Sequence, residues 1–267
     1  MRLRQCLGLL AVLVLPAIAD AAPGIAMRWD RCYADAGAAN KAFACDTNSG
    51  THSLTVSFSP AADIDQVSGN EIVLDLLTAS ATLPDWWQFK NGGSCRISSL
   101  NTNVVLPPGS VNCDDPWRGQ GAGGIGAYNL NYFNTQARPR ILIAVAVPAD
   151  ALGSVLQGHE YFSFNLTIDH ARTVGAGSCS GCVTPMCLLA TSLTIVRPLD
   201  IGDVTLREPL GPNSNVAAWQ GGSPALYYIP PDTTTGRLIP GYWSIGSCGL
   251  PTPARNQTWG AIKSLYR

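Results

Sequence analysis

Charge is scarce in this chain. Asp, Glu, Lys and Arg make up 13% of its 267 residues, and 17 basic against 18 acidic side chains leave a formal net charge of −1. No basic stripe exists, so the electrostatic footprint of a nucleic-acid binder is missing. No acidic tail exists either. Long apolar runs are also absent beyond the N-terminus: Ile141 to Val147 is bounded by Arg140 and ended by Pro148, far short of the roughly 20 residues that cross a bilayer. Helical periodicity is rare, and histidine is limited to His52, His159 and His170. With so little charge, the polar surface falls to Ser, Thr, Asn and Gln, as suits an extracellular β-protein.

The N-terminus carries one specific pattern. Arg2 and Arg4 give a positive start, Cys6 to Ile18 is uncharged and Leu-rich, and Pro16 breaks it. Ala17-Ile18-Ala19 and Ala19-Asp20-Ala21 then offer small residues for a signal peptidase. Residues 1–22 read as a secretory leader. The apolar stretch is too short to anchor, and Cys6 precedes it, which is the wrong place for a lipoprotein cysteine. The expected destination is the periplasm, the cell surface or the medium.

Without the leader, nine cysteines become eight: Cys32, Cys45, Cys95, Cys113, Cys179, Cys182, Cys187 and Cys248. An even count in an exported chain reads as a disulfide framework. Eight cysteines allow 105 pairings. Short intervening loops favour Cys32 with Cys45 and Cys95 with Cys113. The other four would share two bridges, one of them pinning the C-terminal region.

Residues 23–267 read as one domain. Alternation with period two recurs. Thr51 to Ser59 places Leu54, Val56 and Phe58 on one face and Ser53, Thr55 and Ser57 on the other. Glu71 to Leu77 places Ile72, Leu74 and Leu76 inward. Arg140 to Val147 is apolar on both faces, as expected of a covered central strand. Glu160 to His170 directs Phe162, Phe164, Leu166 and Ile168 inward and Tyr161, Ser163, Asn165 and Thr167 outward. Leu188 to Val196, carrying Leu193 and Ile195, and Asp203 to Arg207 complete the set. With 27 Gly and 19 Pro between them, the strands predict an all-β antiparallel sandwich or jelly roll with long Gly/Pro-rich loops. One loop runs from Thr82 to about Arg138 and another from Pro209 to about Thr258. Such lengths are functional or hide short strands. From Thr258, Trp259, Ile262 and Leu265 or Tyr266 fall at helical spacing, predicting a short C-terminal helix that docks or is read as a sorting tail.

Several segments resemble a group of exported bacterial proteins that contain cysteines and have no assigned activity. They are Arg28-Trp29-Asp30-Arg31-Cys32-Tyr33, Asn40 to Asp46, the Cys-rich run from Cys179 to Cys187, Trp219-Gln220-Gly221-Gly222, and the ending from Trp259 to Arg267. The likeness spans most of the mature chain. It implies an exported, bacterial, cysteine-bridged protein and carries no catalytic residue over.

Chemical motifs are few. Cys179-x-x-Cys182 with Cys187 and Cys248 imitates a zinc set, but the fourth cysteine is isolated and an oxidising compartment favours bridges. Val183 stands where haem attachment needs His. Gly177-Ser178-Cys179-Ser180-Gly181 imitates a nucleophile elbow without its strand-to-helix context. His159 and His170, an odd eleven apart on one strand, point to opposite faces, so each histidine reads as an edge or surface residue. Asp63-x-Asp65 is a weak calcium candidate. Asp85, Asp114, Asp115 and Glu160 are carboxylates of the right type for a glycosidase pair, with no spacing that selects two. Trp86, Trp87 and Trp117, among Gly, Asn and Asp in the long loop, are candidate sugar-binding rings; the alternative is that they bury the loop. No cofactor is called for. The reading is a non-catalytic exported structural or binding module, with carbohydrate or a cell-surface component as partner. The alternative is a secreted hydrolase using carboxylates in the long loops.

Overall fold

A computed structural model describes residues 22–130, 138–222, 226–229 and 241–244. Fifteen strands are present: β1 (Gly24–Trp29), β2 (Asn40–Lys41), β3 (Thr51–Ser59), β4 (Ile64–Val67), β5 (Gly69–Leu77), β6 (Leu100–Asn103), β7 (Ala122–Asn129), β8 (Arg140–Ala146), β9 (Gly153–Val155), β10 (Tyr161–Asp169), β11 (Met186–Val196), β12 (Val204–Leu206), β13 (Val216–Trp219), β14 (Leu226–Ile229) and β15 (Gly241–Ser244). One 3₁₀ turn, Asp85–Trp87, is the only helical element among the described residues. The chain is all-β. The expected C-terminal helix lies outside the described residues, as does the leader.

The strands form two main sheets. A four-stranded antiparallel sheet has the order β1-β3-β10-β6. A seven-stranded sheet has the order β2-β13-β11-β5-β8-β7, with β12 also paired to β11. Only the β2–β13 contact in it is parallel. Both sheets feed one core: Leu54, Val56 and Phe58 of β3 and Phe164, Leu166 and Ile168 of β10 share it with Ile72, Leu74, Ile143, Val145, Leu193 and Ile195 of the larger sheet. Each large apolar side chain buried there is worth roughly 1.5–3 kcal/mol.

Two expectations need correction. First, the hydroxyl face of β3 and the outward residues of β10 are not solvent-facing. Thr55, Ser57, Tyr161 and Asn165 are buried, because loops cross this face and bond to it, whereas the buried Ser163 turns its hydroxyl to Asn70 of β5 in the opposite sheet (2.7 Å). Thr55 Oγ1 donates to Asn165 Oδ1 (2.9 Å), whose amide reaches Val105 O (2.7 Å). A bulge between Phe162 and Phe164 takes Ser163 off the ladder, and its carbonyl accepts from Trp117 Nε1 (2.8 Å). Second, β8 is covered on one side only: Ile141, Ile143 and Val145 are buried, whereas Leu142, Ala144 and Ala146 are exposed. The first long loop hides strands, the second of its two expected readings: its Gly-rich run is strand β7. At Gly123 a Cβ would come within 2.5 Å of Ala144 O, so the missing side chain is what lets this edge approach β8.

The cysteines pair over long range: Cys32–Cys113, Cys45–Cys182 and Cys95–Cys179. Cys187 is disulfide-bonded as well. Both local pairs are therefore wrong, and the topology says why. Between Cys32 and Cys45 the chain leaves the small sheet after β1 and joins the large sheet as β2. Cys95 and Cys113 sit at opposite ends of β10. Cys113 precedes Asp114, which bridges to Tyr161 at its start, and Arg96 bonds the Asp169 carbonyl at its end. Nine strand residues at about 3.3 Å each separate those ends. The bridges indicate an oxidising extracytoplasmic compartment.

Removing Cys45–Cys182, which closes a separation of 137 residues, should cost up to about 5 kcal/mol in the chain-entropy model. Denaturant unfolding of the Cys45→Ala/Cys182→Ala protein measures this, and a loss below about 1 kcal/mol would mean that this bridge constrains little.

Candidate functional site

Where β10 begins, three polar side chains come together. Asp114 is held by its backbone: its N–H donates to Glu160 O (2.9 Å) and its carbonyl accepts from Phe162 N–H (2.9 Å). This places Asp114 Oδ2 3.2 Å from His159 Nδ1, with both side chains exposed. Glu160, next along, points inward. Ala34, Val111 and Asn112 close the remaining walls of a cleft of about 440 Å³.

Glu160 is buried and occupied. Oε1 accepts from Tyr33 N–H (2.9 Å) and from the Ser57 hydroxyl, and Oε2 accepts from Ala34 N–H (2.6 Å). Burial pushes its carboxyl above the usual range, against the opposing pull of these hydrogen bonds. Its role is to fix the turn after Cys32 onto the sheet. Asp115 is committed too, accepting from Trp117 N–H (3.0 Å) and Gly119 N–H (2.9 Å). Asp85 accepts from Gln88 Nε2 and Ser180 Oγ, each at 3.2 Å. Of the four candidate carboxylates, Asp114 alone is free to meet a ligand from its exposed pair.

The candidate tryptophans go elsewhere. Trp86, Trp87 and Trp117 are all buried. Trp86 Nε1 donates to Thr173 Oγ1 (3.0 Å), and the Arg96 guanidinium lies 3.6 Å over its ring. Trp219, from β13, packs against Trp29, Trp86 and Trp87 with centroids 5.2–5.8 Å apart. No face of the three candidate rings is left for a sugar: they bury the loop, since rings of this size stabilise most when fully dehydrated. For calcium, Asp63 Oδ1 is taken by Gln157 N–H (2.8 Å). Among the described residues, the one group of three ligand types within reach is Cys32, Cys113 and Glu160, and its sulfurs form a bridge.

Comparison with family models, with curated proteins and with solved structures finds no match. The functional reading therefore stands on this geometry alone.

Sequence reasoning missed one convergence. His52 on β3 and His170 just beyond β10 have ring centroids 4.5 Å apart, and His170 is buried. The signal was the antiparallel pairing of the two strands, which sets Ile168 opposite His52. The comparison of His159 with His170 along one strand could not reveal it. Arg96 was missed as well: it donates to the carbonyls of Trp86 (2.8 Å), Ala171 (2.9 Å) and Asp169, and burial lowers it to about 10.

Two outcomes follow. Glu160→Gln places an amide donor against a backbone donor, which should cost about 1–3 kcal/mol and lower Tm by roughly 2–4 °C per kcal/mol, whereas Asp114→Asn should leave Tm unchanged. Thermal scans of both decide, and equal effects would refute the assigned roles. For His52, burial, then His170 and Lys41, hold the imidazole down to about 4 from 6.5. Between these values the unfolded chain binds a proton that the folded chain refuses, so stability falls as pH drops from about 6.5 toward 4. Glu160, with its raised value, slopes oppositely. The difference between wild type and His52→Gln isolates the histidine: the variant should lose this fall, and parallel pH profiles would contradict a neutral, half-buried His52.

Proposed function

We propose that this protein is an exported, bacterial, non-catalytic binding or structural module built as a disulfide-stapled β-sandwich. The observation that supports it most is the commitment of its catalytic-type groups. Glu160, Asp115 and Asp85 hold loops in place, and the tryptophans hold the core. In this reading the leader exports the chain, the bridges replace charge networks as its staples, and Cys248 is the partner of Cys187. The ligand surface is the cleft at Asp114 and His159. Its carboxylate and imidazole suit a hydroxyl-rich ligand such as a carbohydrate, met through hydrogen bonds without an aromatic platform.

One observation favours the hydrolase alternative: Asp114 and Glu160 line the same cleft, and Glu160 has the raised carboxyl of a general acid. Screening the purified protein for turnover and for binding on polysaccharide and peptide panels separates the two. The module reading expects no turnover, and binding that Asp114→Asn weakens. Robust turnover abolished by Asp114→Asn or Glu160→Gln would replace it with the enzyme.

A further inference from the structure

The large sheet carries apolar side chains on its outer surface too. Leu76, Leu188 and Ala217 point into the shared core, so their neighbours along the strands point away from it. Among these, Leu77, Cys187, Leu189, Val216 and Ala218 form a second buried cluster. Farther along the same surface, Val73 of β5 pairs with Leu142 of β8, and Leu142 with Ala127 of β7. With Ala144 they line an open groove of about 320 Å³. Leu142 is 43% exposed there. Gly126 keeps the groove hollow: a Cβ at that position would meet only Leu142 O, at 3.8 Å. Glu71, opposite Ala144 in the ladder, lines it with an exposed carboxylate. An apolar hollow beside one acidic group suits an aromatic ring with basic neighbours.

We propose that residues 255–267 of this same chain dock in the groove through Trp259, resting on Cys248 as the partner of Cys187. Cys187 is disulfide-bonded, and the three other bridges use six cysteines. Of the nine in the sequence only Cys6 and Cys248 remain, and Cys6 belongs to the leader. The bridge therefore ties Cys248 to the outer surface itself. Cys187 stands opposite Leu77, four residues along β5 from Val73. Leu142 is then roughly 16 Å away, at about 3.3 Å per residue and 4.8 Å per strand. Trp259, eleven residues beyond Cys248, reaches about 36 Å when the chain is extended. The tether makes the encounter intramolecular, at an effective concentration on the order of millimolar for a short flexible linker. Charge agrees as well. Arg255, Lys263 and Arg267 are the only charged side chains in residues 249–267, and the carboxylate they meet is Glu71. Trp259, Ile262 and Tyr266 recur at spacings of three and four, which lets one face carry all three.

The test uses the full exported chain with its bridges intact and the photoreactive p-benzoylphenylalanine, a ring for a ring, in place of Trp259. On irradiation the monomer should cross-link to itself, and mass spectrometry should place the link within residues 71–75, 126–128 or 140–146. In the unlabelled chain, trypsin should cut after Lys263 at least tenfold faster in Trp259→Ala than in wild type. Gly126→Leu, which fills the groove, should do the same, and Leu199→Ala, at an exposed site elsewhere, should not. Because the cross-link needs no change in the groove, an unstable variant does not remove the test. A non-reducing peptide map separates the two ways of failing. If Cys187 is linked to anything but Cys248, the tether and the docking fall together. With that link present, the docking alone is overturned if no cross-link forms or if it falls on another surface. It is overturned too if the link joins two molecules, which would seat a second copy's segment in the groove. Equal trypsin rates in folded Trp259→Ala, folded Gly126→Leu and wild type would overturn it as well, and would leave the segment free to be read as a sorting tail.

Discussion

The fold depends on how the Cys179–Cys182 segment closes one end of the core. Trp29, Trp86, Trp87 and Trp219 meet there around Trp219, and their edges must be covered. The segment lies where the chain passes from β10 in the small sheet to β11 in the large one. Its two bridges run outward to both layers: Cys179 to Cys95, before β6 of the small sheet, and Cys182 to Cys45, after β2 of the large sheet. Once tied, its backbone serves the aromatics. Cys182 O accepts from Trp219 Nε1 (2.8 Å), and Ser180 O accepts from Trp86 N–H (2.9 Å). Gly181 has to be glycine, because a Cβ there would come within 2.2 Å of Pro84 Cβ. What imitates a zinc or nucleophile motif in sequence is a clamp.

That clamp explains where the polar groups went. Arg96, the neighbour of Cys95, spends its donors on three carbonyls around Trp86. Cys32–Cys113, at the other end of β10, sets Glu160 against the turn at Tyr33 and Ala34. Disulfides do the work that ion pairs do in a charge-rich protein. Glu160, Asp115 and Arg96 are then left to satisfy backbone in the loops, where an unpaired donor or acceptor would be costly, while Asp75 and Arg140 pair with each other across β5 and β8. Reactive-looking groups in such a chain are first of all loop anchors.

How much of this the sequence carried depends on the range of the signal. Period-two alternation located β3 to the residue and placed Leu54, Val56, Phe58, Ile143, Val145, Leu193 and Ile195 in the core correctly. Alternation is local, and each strand reports its own buried face. It failed where a second layer intervened: Ser57 and Asn165 read as solvent-facing, yet loops cover them. It failed at β7, where glycines carry no side chain to alternate. The two local cysteine pairs failed, since separation along the chain says nothing about which sheet each cysteine belongs to. The tryptophans had two readings, and burial won: Trp86 and Trp87 pack on Trp219, 132 positions beyond Trp87, and Trp117 bonds Ser163 O of β10. The His52–His170 convergence needed the strand register, which no single segment contains.

The clamp is tested most directly by a peptide map of the intact, non-reduced protein. Proteolysis and mass spectrometry should recover linked peptides for Cys45–Cys182 and Cys95–Cys179, together with Cys32–Cys113. A peptide joining Cys179 to Cys182, or the local pairs Cys32–Cys45 and Cys95–Cys113, would detach the segment from both sheets and contradict the account.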